Sequence, residues 1–251
     1  MTAGPLLFAR YAYPPNALGF CGADETRTLL DYGSAGESDG GLAELARTFE
    51  GAWPYLVLIA HANRIDDPLD PRVVEAYWVG NGLLDRVTPG SLMRHVEDRF
   101  SKRIGRSWRH VLDAVAAGAV PHHNFHVLAV YPWLGLLRTG IVDQPLYVLD
   151  RCRTTPAQVR SVHGDNASVV LRPLVWDGRT VELGPLESRD VRWRDEGAGL
   201  VTDLLPGEWV SIHWDFVCDR LTAAGAARLE LETRRTLAAV NSSSASAAAL
   251  A

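Results

Sequence analysis

The sequence predicts an α+β chain: a helical N-terminal domain over residues 1–147, a small β-barrel with a C-terminal helix over 148–241, and a low-complexity tail over 242–251. Three observations carry this. Up to about residue 147, apolar residues recur at helical spacing between proline-marked starts. After Pro145 the runs shorten to β-prone segments of four or five residues separated by turn signals. A hydrophobic share of 47% with 22% charge fits a core-forming globular chain rather than a disordered one.

In order, 10–40 is rich in Gly, Pro and Asp and reads as loop with a short helix near 25–31. Gly40-Gly41 precede an apolar-periodic run over 42–61 that includes Leu45, Phe49, Trp53, Leu56 and Ile59; Pro54 inside it should kink or restart the helix. Asp70-Pro71 pairs an N-cap with proline at the first helical position and opens a helix to about residue 86. Thr88-Pro89 repeats that signature for a helix to about 103, and another follows over about 107–117. Pro121 opens an apolar stretch over 122–137, broken by Pro132. The β-prone runs are 146–149, 158–162, 167–171, 180–183 and 209–213, with turns at His163-Gly164-Asp165-Asn166 and Asp177-Gly178. Short strands with tight turns suggest a small barrel. A helix over about 223–240 carries Arg234 and Arg235 near its end, where the dipole favours cations. The Ser/Ala composition of 242–251 predicts disorder.

A net charge of −5 and a pI near 5.9 argue against a general nucleic-acid binder. No stretch approaches the ~20 apolar residues of a membrane span, and residues 1–10 lack the basic and apolar regions of a secretory signal. The expectation is a cytoplasmic protein with neither nucleic-acid nor membrane partners. Lys102 is the only lysine, which reads as GC-rich codon usage. Cys21, Cys152 and Cys218 are too few for a disulfide scaffold, and no C-x-x-C offers a zinc ribbon or thioredoxin site.

Two constellations in the helical half carry candidate chemistry. Aromatics interleave with proline from Phe8 to Asn16 and lead into Phe20-Cys21-Gly22. Cys21 is a candidate metal thiol, nucleophile or partner contact, with a packed loop cysteine as the plain alternative. His122, His123 and His126 follow Pro121; helical geometry would put His122 and His126 on one face at i, i+4, a spacing suited to a shared metal. No Glu follows the first His, so H-E-x-x-H is absent, and further ligands would come from Cys21, His61 or Asp24. The plain alternative is a polar cluster at a helix start. Cys218, in an apolar lead-in to the last helix, reads as core.

In the second half, Cys152-Arg153-Thr154-Thr155-Pro156 has a C-x-x-x-P form, 158–162 and 167–170 form a hairpin pattern, and Pro206-Gly207-Glu208-Trp209-Val210-Ser211-Ile212-His213 reads as a strand ending in histidine. In this order these pieces resemble the opening cysteine motif, first hairpin and histidine strand of the HypC-type [NiFe]-hydrogenase maturation chaperones. Asp219-Arg220-Leu221-Thr222 leads into a helix as in that family, so the likeness covers roughly 148–240. The first half resembles uncharacterised actinobacterial proteins. The resemblance implies an OB-like barrel that carries an Fe(CN)2CO fragment, with Cys152 as iron ligand and His213 beside it. It implies a HypD-like scaffold protein and the hydrogenase large-subunit precursor as partners. A thiolate suits soft low-spin iron, and neighbouring cations such as Arg151 and Arg153 favour the thiolate. In the resembled family the cysteine lies at the extreme N-terminus, whereas about 150 residues precede it here. These readings place Cys152 at the barrel surface near His213. Two rivals stand beside the carrier: an enzyme that forms or processes a diatomic ligand with Cys21 and the His cluster, and a metal-free docking module.

Overall fold

The computed structural model describes residues 2–22, 26–104 and 108–248. Its first helix, α1 (Gly4–Ala17), extends through residues 10–17, which the sequence predicts as loop. Pro14 and Pro15 fall in its last turn, where each removes one backbone bond, and burial of Phe8, Tyr11, Ala12 and Tyr13 outweighs that loss. Gly4 is required by packing, because a Cβ there would lie 1.5 Å from the Leu69 carbonyl oxygen. Next come α2 (Thr26–Ala35), α3 (Gly40–Arg47) and α4 (Trp53–Asn63). Pro54 sits in the first turn of α4, so the expected 42–61 helix restarts there. The Asp70 carboxylate accepts from the Arg72 N–H at 2.9 Å and caps α5 (Pro71–Trp78), which stops short of residue 86 where Gly80 takes φ 98°.

Helices α6 (Pro89–Ile104) and α7 (Trp108–Ala116) follow, close to their expected spans. The 122–137 stretch divides into a single turn α8 (His123–Phe125), a π-helical turn over His126–Val130, and α9 (Trp133–Arg138). Residues 146–149, expected as a strand, belong to α10 (Asp143–Cys152). Its buried Pro145, Val148, Leu149 and Cys152 follow helical spacing against the core.

The strands are β1 (Thr155–His163), β2 (Asn166–Leu171), β3 (Leu174–Trp176), β4 (Val181–Leu183), β5 (Glu187–Arg192), β6 (Arg194–Asp195), β7 (Ala198–Gly199), β8 (Trp209–His213) and β9 (Phe216–Leu221). Five form a mixed sheet in the order β1-β2-β5-β9-β8 that closes through β8 pairing with β1; all pairs are antiparallel except β5 with β9. β5 and β9 were not expected, and Cys218 lies in β9 rather than in a helix lead-in. The final helix α11 (Ala223–Ala248) runs past residue 242, so helix occupies most of the segment expected as a disordered tail. Among the described residues no helix is long and apolar enough to cross a membrane.

The sheet encloses its own small core, including Val159, Val169, Val191, Val210, Ile212 and Val217. The larger core joins the helices to the outside of the sheet, running from Phe8, Tyr55 and Tyr77 through Cys152, Trp214 and Phe216 to Leu229 of α11. Arg10 of α1 pairs with Asp219 of β9, and the Ser211 hydroxyl of β8 donates to the Tyr11 hydroxyl at 2.8 Å.

One buried carboxylate fastens α10 to the sheet. Asp150 is 6% exposed and accepts from Arg151 at 2.7 Å, Arg153 at 3.0 Å, Arg189 of β5 at 2.7 Å and the Leu174 N–H at 2.7 Å. Burial works against the charged form, but Arg153 and Arg189 outweigh it and hold the carboxyl below its ordinary pKa. Asp150→Asn leaves Arg153, 1% exposed, without its ionic partner. The expected loss is about 3 kcal/mol or more of unfolding free energy. Denaturant unfolding measures it, and a loss below about 1 kcal/mol would contradict this account of the junction.

Candidate metal centre

Three chain segments meet where α10 ends. Arg153 turns to extended backbone (φ −69°, ψ 145°) and leads into β1. Asn124 of α8, fully buried, grips that turn: its side-chain oxygen accepts from the Thr154 N–H at 2.8 Å, and its amide donates to the Thr154 carbonyl and the Thr233 hydroxyl, both at 3.0 Å. This sets His123 beside Cys152. From the sheet, the β8–β9 turn places Trp214 (φ 51°) and Asp215 (φ 54°) in the left-handed region, an uncommon conformation for a bulky residue. The Trp214 N–H donates to the Arg151 carbonyl at 2.7 Å, and the Arg151 side chain meets Asp215 at 2.6 Å. The strained turn is thereby tied to α10, and His213 faces Cys152.

The ligand atoms of His123, Cys152 and His213 all lie within 4.8 Å of one another, and all three residues are buried. Metal–donor bonds of about 2.0–2.3 Å put tetrahedral donors about 3.3–3.7 Å apart, so a small contraction closes this set. Carbonyls only accept, so the hydrogen bonds fix the imidazole protons. His123 donates from Nε2 to the Cys152 carbonyl, and His213 donates from Nδ1 to the Tyr11 carbonyl, each at 2.8 Å. His213 Nε2 remains a buried lone pair without a hydrogen-bond partner. His123 Nδ1 lies 3.3 Å from the Tyr77 hydroxyl. An imidazole held by one nitrogen with the other available is the usual form of a metal ligand; His213 has that form, whereas His123 would first have to exchange the Tyr77 hydroxyl for the ion.

Burial sets the protonation states. It lowers the pKa of His213 to about 4 against the opposing pull of the Tyr11 and Cys152 carbonyls, and it pushes His123 well below the ordinary histidine value with help from His213. Burial pushes the Cys152 thiol up to about 12, the neighbouring Cys21 adds to the rise, and the Trp214 indole N–H opposes it. Arg151 and Arg153 do not activate this thiol: Asp150, Asp215 and the Arg172 carbonyl occupy them. A thiol this far raised stays protonated near neutral pH, and it would become a thiolate only if a bound cation displaced its proton to solvent.

A cavity of about 310 Å³ connects these residues, and Cys21, His123, His126, Cys152 and His213 all line it. It shares Cys21, His126 and Tyr131 with an adjoining cavity of about 900 Å³. Five of the six residues singled out in the sequence therefore converge on one space. His122 does not: its backbone is extended (φ −101°, ψ 153°), and its Nδ1 accepts from the Asn124 N–H at 3.0 Å as the cap of α8. The expected i, i+4 pairing with His126 is absent for that reason. His126 instead meets the Tyr55 hydroxyl at 3.2 Å.

His61 is exposed on α4, Asp24 lies outside the described residues, and Cys218 is wholly buried. Cys152 is buried at the end of α10, not displayed on the barrel surface. Tyr77 and Tyr131 also line the cavities, and no local motif in the sequence marks them. Trp214 is flagged in sequence only by following His213.

The fold and this site define an α+β protein with a buried Cys-His-His donor set at the junction of helices and strands. The chain belongs to a family of unknown function, DUF6390, which it matches over residues 1–247. That match runs without interruption through the helices and the strands. No curated protein and no solved structure matches the chain.

The buried imidazoles give a direction to the pH dependence of stability. A histidine whose folded pKa is depressed lets the unfolded chain bind more protons below about pH 6.5. Its stabilisation is complete above that pH and is lost as pH falls toward the folded value, about 4 for His213. That residue alone accounts for about 3 kcal/mol at the acid end. Metal-free protein should lose stability steadily from pH 6.5 to 4. His213→Asn, which keeps a donor for the Tyr11 carbonyl, should show a shallower loss. Equal slopes for the two proteins in denaturant titrations would contradict the buried neutral imidazole.

Proposed function

We propose that this protein binds a transition metal, iron(II) foremost, through His123, Cys152 and His213, and carries it with small ligands for delivery to an apoprotein. The observation that carries the reading is His213 Nε2, a buried lone pair without a partner beside a thiol and a second neutral imidazole. Buried polar groups are nearly always paired, and one left open in a donor cluster calls for an explanation that a metal supplies.

The cargo that best suits the site is the Fe(CN)2CO fragment implied by the likeness of 148–240 to HypC-type chaperones. Three protein donors and three diatomic ligands complete six-coordinate iron, and the 310 Å³ cavity has room for them. Tyr131 and Trp214 line that space and carry the hydroxyl and indole N–H that could donate to cyanide nitrogens. The closed five-stranded sheet is compatible with the OB-like barrel of that family. On this reading the partners are a HypD-like scaffold protein and a [NiFe]-hydrogenase large-subunit precursor, in the cytoplasm. Because Cys152 is buried, release calls for movement of residues that line its cavity, among them Trp214 and Phe20, whose rings stack at 4.2 Å.

A second reading, an enzyme that forms or processes a diatomic ligand, draws support from Cys21 and His126 lining the same cavity. Both readings place the chemistry in one space, and they part on turnover.

Anaerobic purification from the producing cells, with iron counted per chain and infrared spectra recorded, tests the carrier. Expected are near-stoichiometric iron with cyanide and carbonyl stretches, loss of both in Cys152→Ser, and retention in His122→Ala. Full iron occupancy in Cys152→Ser would remove Cys152 as the anchor. Wild-type protein that takes up no iron under anaerobic loading would leave the docking-module reading in its place.

A further inference from the structure

We infer that Cys21 supplies a second thiolate to a bare divalent ion in this cavity, making a four-coordinate site of Cys21, His123, Cys152 and His213. The inference rests on the proposal that the cavity binds metal and is carried by charge balance. The residues lining the 310 Å³ cavity include no Asp, Glu, Lys or Arg. A divalent ion held by one thiolate and two neutral imidazoles leaves one net positive charge in a space walled by aromatic and aliphatic side chains. An unbalanced charge there is strongly disfavoured. Only cysteine and tyrosine side chains in this wall can become anions, and a thiol is the stronger acid of the two. Cys21 is the one cysteine in the wall besides Cys152.

Cys21 lines the cavity beside the group of His123, Cys152 and His213 but outside the 4.8 Å that encloses their ligand atoms, so its turn must move inward to bring the sulfur to a shared ion. The Asn16 amide donates to the Cys21 carbonyl at 2.9 Å and holds the turn against the end of α1. Gly22 follows with φ 87°, and a Cβ there would stand 2.5 Å from the Phe49 ring, so the Cys-Gly turn packs directly on the core. Cys21 is only partly buried, and its thiol lies within electrostatic reach of Cys152. The unpartnered His213 Nε2, 1% exposed, points independently to a ligand in the same space. Two thiolates and two imidazoles neutralise a divalent ion and give the tetrahedral set that zinc and cobalt favour. A fragment that carries two cyanides is neutral at iron(II) before any thiolate binds, so with the Cys152 thiolate it is already a monoanion and a second thiolate would only add to the unbalanced charge. Cys21 is then the donor that such a fragment releases.

Cobalt(II) is the probe, because sulfur-to-cobalt charge-transfer absorption scales with the number of bound thiolates. The full-length chain is titrated with Co²⁺ under reducing conditions as wild type, Cys21→Ser, Cys21→Ala, Cys152→Ser and the double serine variant, with circular dichroism to confirm folding. The expected result is that each single variant keeps about half of the wild-type charge-transfer intensity per bound cobalt and the double variant keeps none. Wild-type intensity retained in both Cys21 variants would overturn the role of Cys21 while leaving the three-donor site intact. Failure of the wild type to bind Co²⁺ at all would overturn the metal reading and this inference with it.

Discussion

Everything at the centre of this molecule depends on the buried carboxylate of Asp150. By gathering Arg151, Arg153, Arg189 and the Leu174 N–H, it fixes the end of α10 against β3 and β5. Arg151 then extends the constraint, because its side chain meets Asp215 while its carbonyl receives the Trp214 N–H. The turn after β8 is thereby held in a conformation that a tryptophan does not adopt by preference. Cys152 at the end of α10 and His213 at the end of β8 lie far apart in sequence, yet they face each other because one ionic cluster sets both.

The same arrangement holds the two imidazole donors in the form that a metal would require. Tyr11 and Cys152 offer backbone carbonyls that orient His213 and His123, and burial keeps both rings neutral, the form that ligates. The thiol is left protonated by its surroundings and unassisted by any cation, so it is inert until a positive ion arrives. A site of this kind stays chemically silent when empty and commits when a metal enters. The adjoining 900 Å³ cavity shares Cys21, His126 and Tyr131 with the 310 Å³ cavity.

Much of this was legible in the sequence where local signals are strong. Asp70-Pro71 and Thr88-Pro89 mark helix starts within a residue, and the β-prone run 209–213 after Pro206-Gly207 coincides with β8. The misses have tertiary causes. α1 forms despite Pro14 and Pro15 because α5 and the sheet bury it, and 146–149 is helical because its apolar face meets the core. β5 carries Glu187, Arg189, Asp190 and Arg192, so its strand character comes from pairing with β2 and not from apolar alternation. At the site, residue type was informative: Cys21, His123, His126, Cys152 and His213 stand out as chemistry-bearing side chains, and the fold brings them to one cavity. Geometry was not legible. The capping role of His122, the burial of Cys152 and the occupation of Arg151 and Arg153 by Asp150 follow from contacts between segments distant in the chain.

The central claim is that the junction of α10, α8 and β8 is a metal site. Crystals of the protein loaded with a single divalent metal, with anomalous scattering recorded on both sides of that metal's absorption edge, test it most directly. The account predicts one anomalous peak enclosed by His123, Cys152 and His213, about 2.3 Å from sulfur and about 2.0–2.1 Å from His213 Nε2. A peak bound elsewhere, with His213 Nε2 still unpartnered in the cavity, would contradict it.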